Sequence, residues 1–189
     1  MTDDSGEGAV PLHLRRVVVG HDSDGASAVS LDGAPPVASA YDHIPGMMTR
    51  LLWATSAEGR IPARAQDLTT PTLSHVPAAG ETRFIVATFP PDSVFAAAEF
   101  RPELALEENR RLSPGLADLF EPDGFHRTDT IDYGIVLDGE LCLELDDGAK
   151  TRLRKHDVIV QNGARHAWRN ESDRPATLAF VLIGAKRER

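Results

Sequence analysis

The sequence predicts an all-β domain, either a sandwich or a barrel, and three observations support this class. Short segments rich in β-branched and aromatic residues recur along the chain between clusters of turn residues. Turn signals such as Asp138-Gly139 and Asp146-Asp147-Gly148 join neighbouring segments of this kind. The pattern of strands alternating with long helices, which is typical of a doubly wound parallel sheet, is absent from the sequence. Short strands at even spacing indicate a sandwich or a barrel.

The first part of the chain is predicted to form a tail and then a hairpin. Residues 1–11 are small, acidic and turn-forming, so we expect a disordered tail there. The apolar segments 14–19 and 26–31 flank a turn cluster at 21–25, which indicates a β-hairpin.

Two further strands are predicted before the middle of the chain, at 49–55 and 82–89. Residues 56–80, which separate them, are rich in Ala, Pro and polar residues, so we expect a loop with few regular elements. Together, residues 12–100 are expected to extend the sheets of a barrel with additional strands and loops.

A helical pattern is predicted in residues 101–120. Residues 102–112 are rich in Glu, Leu and Arg, and 113–120 can form a second short helix. We expect this segment to cover one end of the barrel. Residues 121–185 are expected to be the core of the domain, and their predicted strands are 128–137, 140–145, 151–154, 157–161, 166–170 and 176–183.

Length, composition and charge limit the possible classes of function. The 189 residues and the hydrophobic fraction of 41% suit one domain with a sizeable core. The net charge of −9 disfavours binding to nucleic acid or to an anionic membrane. The single cysteine, Cys142, rules out an internal disulfide. The N-terminus lacks the features of a signal peptide, so we expect a cytoplasmic protein that binds neither nucleic acid nor membrane.

Two stretches in the last third of the chain carry polar residues in a regular pattern. They are His126-x-Thr128-x3-Asp132-x6-Gly139 and Gly163-x2-His166-x3-Asn170. Residues two apart on a strand share a face, so the first stretch is expected to present its polar residues together. Polar side chains are costly to bury without partners, so an inward row indicates water, a ligand or a metal. The residues of this row are His126, Thr128, Thr130 and Asp132.

The two stretches resemble the paired signature of the cupin family, written G-x5-H-x-H-x3,4-E-x6-G and G-x5-P-x-G-x2-H-x3-N. The resemblance covers residues 120–183. His126 corresponds to the first histidine of motif one, and His166 corresponds to the histidine of motif two. Thr128 stands where the family has its second histidine, and Asp132 stands where it has glutamate. The positions that match directly are Gly139 and Asn170.

The resemblance implies a single cupin barrel, a double-stranded β-helix or jelly roll, with extra N-terminal strands and a short helical segment. It also implies a divalent metal, such as Fe, Mn, Ni or Zn, held by His126, Asp132 and His166. His126 and Asp132 are the expected catalytic residues. The expected ligand-binding residues are Thr128, Thr130, Gln161 and Trp168.

Three functions remain open at this point. One is a metal-dependent enzyme, such as a dioxygenase, isomerase, cyclase or lyase, that acts on a small organic molecule. Another is a metal-free enzyme in which His126 and Asp132 act as acid and base. The last is a binding module without turnover, so the sequence leaves enzymatic activity undecided. The extra strands suggest an exposed sheet edge, from which we expect a homodimer. His75 falls in a loop, and the sequence assigns it no role.

Overall fold

A computed structural model describes residues 14–61 and 67–188. The predicted disordered tail at 1–11 lies outside the described residues. Within the described ranges, no helix is long and apolar enough to cross a membrane.

The described residues form eleven strands, one α-helix and two short 3₁₀ turns. The N-terminal strands are β1 (Arg16–His21), β2 (Ser27–Gly33), β3 (Val37–Ala40), β4 (Met48–Thr55) and β5 (Thr82–Phe89). The 3₁₀ turns lie at Asp92–Val94 and Ala117–Leu119, on either side of the helix α1 (Pro102–Leu112). The C-terminal strands are β6 (Thr130–Asp138), β7 (Glu140–Leu145), β8 (Lys150–Arg154), β9 (Val158–Asn162), β10 (His166–Arg169) and β11 (Ala176–Gly184).

Two antiparallel sheets pack face to face and form the body of the molecule. The larger sheet has the strand order β3-β4-β5-β11-β6-β9, and the smaller sheet has the order β10-β7-β8. Strands β1 and β2 pair with each other in a separate two-stranded sheet. The predicted all-β class is therefore confirmed, with the jelly-roll arrangement that the cupin resemblance implies.

Apolar side chains from both sheets meet in the space between them. Val136 on β6 and Leu178 on β11 pack in one buried cluster with Leu141 on β7 and Leu153 on β8. Burial of each such side chain stabilises the fold by about 1.5–3 kcal/mol relative to an exposed position. The alternation of buried and exposed residues along β6 follows from the two-residue period of a strand.

Helix α1 packs on the loop between β3 and β4 through a buried carboxylate. Pro102 occupies the first turn of the helix, where the missing N–H of proline has no helical partner to lose. Glu108 is buried and accepts hydrogen bonds from the backbone N–H groups of Asp42 (2.9 Å) and His43 (2.7 Å). These bonds hold the helix, and the residues that follow it, against the larger sheet.

The tight turn between β6 and β7 depends on a glycine in the left-handed region. Gly139 has φ 74°, and an added Cβ would lie 2.7 Å from the carbonyl oxygen of Pro175. Both the backbone conformation and this close approach require glycine. The Asp138-Gly139 signal therefore marks a true turn, and Gly139 is a structural member of the first motif.

Candidate functional site

A cavity of about 690 Å³ lies between the two sheets and is bordered by α1. A volume of this size suits a small organic molecule. Most of its wall is apolar or aromatic, and the principal side chains of this wall are Ile85, Phe89, Phe120, Trp168, Phe180 and Leu182.

The two motif histidines meet at this cavity because their backbones are paired. The N–H of His126 donates to the carbonyl of His166 (2.9 Å), and the reverse bond is 3.0 Å. The centroids of the two imidazole rings are 4.3 Å apart. The ring of Phe120 lies 4.3 Å from that of His126 and covers it. The structure thus brings together two residues that are 40 positions apart in the sequence, on a site of low polarity.

Both imidazoles are in an environment that favours the neutral form. Burial, and then the neighbouring His166, lowers the pKa of His126 to about 3. Burial also lowers the pKa of His166. The Nδ1 atom of His166 lies 2.9 Å from the carbonyl oxygen of Ala164. Because a carbonyl oxygen only accepts, Nδ1 carries the proton and Nε2 keeps a free lone pair.

Asp132 reaches the same cavity from the larger sheet. It lies on β6, opposite Gln161 of β9. Its Oδ1 atom is buried and has no hydrogen-bond partner among the described residues. Burial raises the pKa of this carboxyl group to about 6, although the hydroxyl of Thr130 opposes the rise. Near neutral pH the carboxyl group can therefore both release and take up a proton.

The predicted polar row is divided between two sheets. Thr130 and Asp132 are buried on β6, as the two-residue period predicts. The chain bends at Asp129, before β6 begins, and this bend carries His126 to the edge of the smaller sheet beside β10. His126 and Asp132 therefore enter the cavity from different directions rather than from one strand face.

Most of the predicted ligand-binding residues line the cavity. Thr128, Gln161 and Trp168 belong to its wall. Trp168 packs with Phe89 and Phe180, at centroid distances of 6.2 and 5.7 Å, and forms an aromatic wall.

Thr130 is buried outside this lining, and its hydroxyl is 2.6 Å from that of Thr128. Thr130 thus supports the site without bordering the cavity.

The predicted metal ligands are not gathered around one point. Among residues 14–61 and 67–188, no three or more His, Cys, Asp or Glu side chains are grouped closely enough to hold a metal ion. The buried Nδ1 of His126 and the free Nε2 of His166 are nitrogen donors, but protein sites for divalent ions commonly use at least three ligands. The described side chains therefore do not form the predicted three-ligand site, and metal binding stays a prediction.

Sequence reasoning missed several polar residues that line the cavity. The structure places His75 there, although it lies in a loop far from both motifs. No local pattern in the sequence marks these residues, because they meet only when the loops and α1 fold over the larger sheet. The missed residues include Thr49, His75, Asn109 and Ser113, and also the charged residues Asp92, Glu121, Asp123 and Arg169.

Comparison with protein-family models identifies a cupin domain at residues 118–183. Two curated fungal relatives match a stretch of this length. Phomopsin biosynthesis cluster protein D of Diaporthe leptostromiformis is 50% identical over 62 residues, 32% of this chain and 33% of the relative. The cupin-domain-containing oxidoreductase virC of Hypocrea virens is 39% identical over 64 residues, 32% of this chain and 33% of the relative. The matches thus span about a third of these relatives.

Solved structures were compared as well. One match is the cupin domain of an XRE family transcriptional regulator from Enterobacter cloacae, which is 15% identical and covers 75% of this chain and 99% of that one. The TM-score of this match is 0.39. The family assignment comes from the domain match, the two motifs and the packed antiparallel sheets. Residues 118–183 are a cupin domain.

Proposed function

We propose that the chain is an enzyme that transforms a small, largely apolar organic molecule by acid–base catalysis in the cavity. The observation that carries this proposal is the carboxyl group of Asp132, which is buried at the cavity with a raised pKa and an unpartnered Oδ1. A general base is most effective when its pKa lies near the working pH. Asp132 would accept a proton from the substrate and return it at another atom or after bond rearrangement.

The two histidines would orient the substrate beside Asp132. Because both rings are neutral, each has one nitrogen that donates and one that accepts. The free Nε2 of His166 would accept a hydrogen bond from a hydroxyl or amide group of the substrate. The aromatic wall around Trp168 would hold the apolar part and exclude water, which strengthens these interactions.

A redox reaction is a second candidate, because virC and other matched relatives are named as cupin-domain-containing oxidoreductases. The predicted Fe, Mn, Ni or Zn belongs to this candidate. Metal analysis by plasma mass spectrometry, on protein purified without a metal-chelating tag, tests it directly. About one equivalent of metal in the parent, lost in His126→Ala and His166→Ala, would favour redox or Lewis-acid chemistry. No metal after anaerobic loading would leave the acid–base proposal.

The acid–base proposal is tested by proton exchange. The protein is incubated in D₂O with a panel of aryl ketones and lactones, and deuterium uptake at carbon is followed by mass spectrometry. We expect catalysed exchange in the parent and a loss of about 10²–10⁴-fold in Asp132→Asn, the range typical of a general base. Asp138→Asn, on the same strand but exposed and paired with Lys155, is the matched control. Equal exchange by parent and Asp132→Asn would contradict the assigned role.

We also propose that two copies of the chain associate through the outer face of the larger sheet. Large apolar side chains are exposed on two neighbouring strands of this face. Tyr133 lies opposite Val160, and Ile135 lies opposite Val158, so the four form a continuous patch. Contiguous exposed apolar patches mark interfaces more often than free surface. A flat patch of this kind can pair with its own copy about a two-fold axis.

A further inference from the structure

We infer that the cavity contains a second binding subsite, which hydrogen-bonds an uncharged polar group at the far end of an elongated, largely apolar substrate. The subsite is formed by residues that precede the cupin domain, and these are Thr49, His75, Asn109 and Ser113. This inference rests on the proposed function, because it places the other polar end of the substrate at Asp132.

Thr49 supplies the observation that points to a ligand. It is 6% exposed and lines the cavity. Its Oγ1 has no hydrogen-bond partner within 3.5 Å among the described residues, although the hydroxyl of Tyr41 is near enough to interact with it. A buried hydroxyl without a partner destabilises the folded protein. Valine would fill the same space on a strand without this penalty. A hydroxyl, carbonyl or amide group of a ligand would satisfy Thr49.

His75 contributes a neutral imidazole to the same end of the cavity. It is 2% exposed, and its side chain lines the cavity. Burial, and then the charge of Arg83, lowers the pKa of His75 to about 4, so the ring can donate one hydrogen bond and accept another. The backbone N–H of His75 donates to the carbonyl of Pro114 (2.8 Å), which fixes the loop beside the end of α1.

The end of α1 adds polar groups that are held in place by neighbours. The hydroxyl of Ser113 lies 2.7 Å from that of Tyr41, which also donates to Oδ1 of Asn109 (3.1 Å). The amide nitrogen of Asn109 stays available to a ligand in the cavity. None of the four subsite residues carries a charge at pH 7. The subsite therefore suits a neutral polar group rather than a carboxylate or an ammonium.

The two polar ends of the cavity are separated by an apolar floor. Thr49 lies on β4 and Asp132 on β6, with β5 and β11 between them in the sheet. Three strand spacings correspond to about 14 Å across the sheet. The side chains of Ile85 and Phe180 occupy the intervening surface. A matching ligand has a flat apolar body with a polar group at each end.

The test compares a rigid probe with one or two polar ends. Binding of 4-hydroxybiphenyl and 4,4′-dihydroxybiphenyl to the full chain is measured by titration calorimetry. We expect the diol to bind the parent about fivefold more tightly, which corresponds to one additional neutral hydrogen bond. In Thr49→Val and His75→Phe this preference should fall to about onefold or twofold, while affinity for the mono-ol is retained.

A control variant separates a binding role from a structural one. Thr55→Val removes a hydroxyl from the same strand, but Thr55 bonds Thr82 (2.7 Å) outside the cavity lining. It should keep the preference for the diol and lower the melting temperature. Thr49→Val should lose the preference and melt at the same temperature or higher, because its hydroxyl has no partner to lose.

The outcomes distinguish failure of the subsite from failure of the proposed function. Equal affinity of the parent for both probes would overturn the subsite and leave the role of Asp132 untouched. A diol preference that survives both Thr49→Val and His75→Phe would also overturn it. Failure of both probes to bind the parent would count against the cavity as a ligand site, and therefore against the subsite and the proposed function together.

Discussion

The carboxyl group of Asp132 is surrounded by a protein interior that favours its protonated form. Its pKa is about 6 in the folded protein, against an ordinary value of 3.8 for aspartate. The folded state therefore binds this proton more tightly than the unfolded state, and its stability falls as the pH rises from about 4 to about 6. Above that range the ionised carboxylate destabilises the fold by up to about 3 kcal/mol. The environment that suits the proposed catalytic role of Asp132 therefore lowers the stability of the fold.

Asp132→Asn is therefore expected to stabilise the protein while removing its proposed activity. The amide keeps the shape of the carboxyl group and carries no charge, so the free energy of unfolding at pH 7 should rise by about 1–3 kcal/mol. Urea unfolding at pH 7 and at pH 4 measures this gain, which should be small at the lower pH. The exposed Asp138→Asn should change stability little at either pH. A destabilised Asp132→Asn at pH 7 would contradict the assigned environment.

At the scale of single elements, α1 depends on one carboxylate for its position. Glu108 is 4% exposed and is the acceptor for two backbone N–H groups of the β3–β4 loop. Glu108→Ala would leave both donors without a partner, so we expect a loss of about 2–4 kcal/mol in the free energy of unfolding. Glu107→Ala, on the exposed side of the helix, should change it by less than about 0.5 kcal/mol.

Chemical denaturation of both variants measures this difference. Glu108→Ala should also weaken binding of the dihydroxybiphenyl probe, because the helix end that carries Ser113 and Asn109 would shift. Equal stability of the Glu108 and Glu107 variants would show that the helix is held by its apolar contacts alone. Those contacts join Ala105 to Tyr41 and Ile44.

Strand β6 shows how far an element can be predicted from its own residues. The alternation of buried Thr130 and Asp132 with exposed Ile131 and Tyr133 follows from local geometry and was expected. The bend at Asp129 was not expected, because it results from pairing of the preceding residues with β10. This bend explains why His126 and Asp132 do not share the one strand face that the sequence predicts.

For the whole molecule, buried neutral histidines make stability depend on pH. Burial lowers the pKa values of His75, His126 and His166 in the folded protein. The unfolded chain therefore binds more protons below about pH 6.5, and stability is lost as the pH falls through this range. His75 and His126 each contribute a slope of up to about 1.4 kcal/mol per pH unit below about pH 6.5, and His166 acts in the same direction. Asp132 acts in the opposite direction and partly offsets this slope between about pH 4 and 6.

Urea unfolding at pH 7, 5.5 and 4.5 should therefore show a steady loss of stability. The loss in the free energy of unfolding per pH unit should be smaller in His75→Gln, because this variant lacks one buried imidazole that is costly to protonate. His21→Gln, at an exposed position of β1, should keep the slope of the parent. Identical slopes in the parent and in His75→Gln would contradict the neutral buried state of His75.

Assembly is a second property of the whole molecule that the proposals make testable. Light scattering during size-exclusion chromatography should give the mass of a dimer for the parent. Tyr133→Lys or Val160→Lys, at the centre of the proposed interface, should reduce the measured mass to that of a monomer, because a charge is costly to bury there. Val19→Lys, at an exposed valine of the separate hairpin, should remain dimeric. A monomeric parent would contradict the proposed association.

The sequence by itself determined the all-β class, the positions of most C-terminal strands and the cupin motifs. These features depend on two-residue alternation and on turn residues such as Gly139, which act within a few positions of the chain. Only the tertiary structure decided which polar groups share the cavity. Thr49 and His75 reach it because a sheet, a loop and a helix pack together, and the bend before β6 divides His126 from Asp132. Such approaches are set by packing between distant segments, which no local pattern encodes.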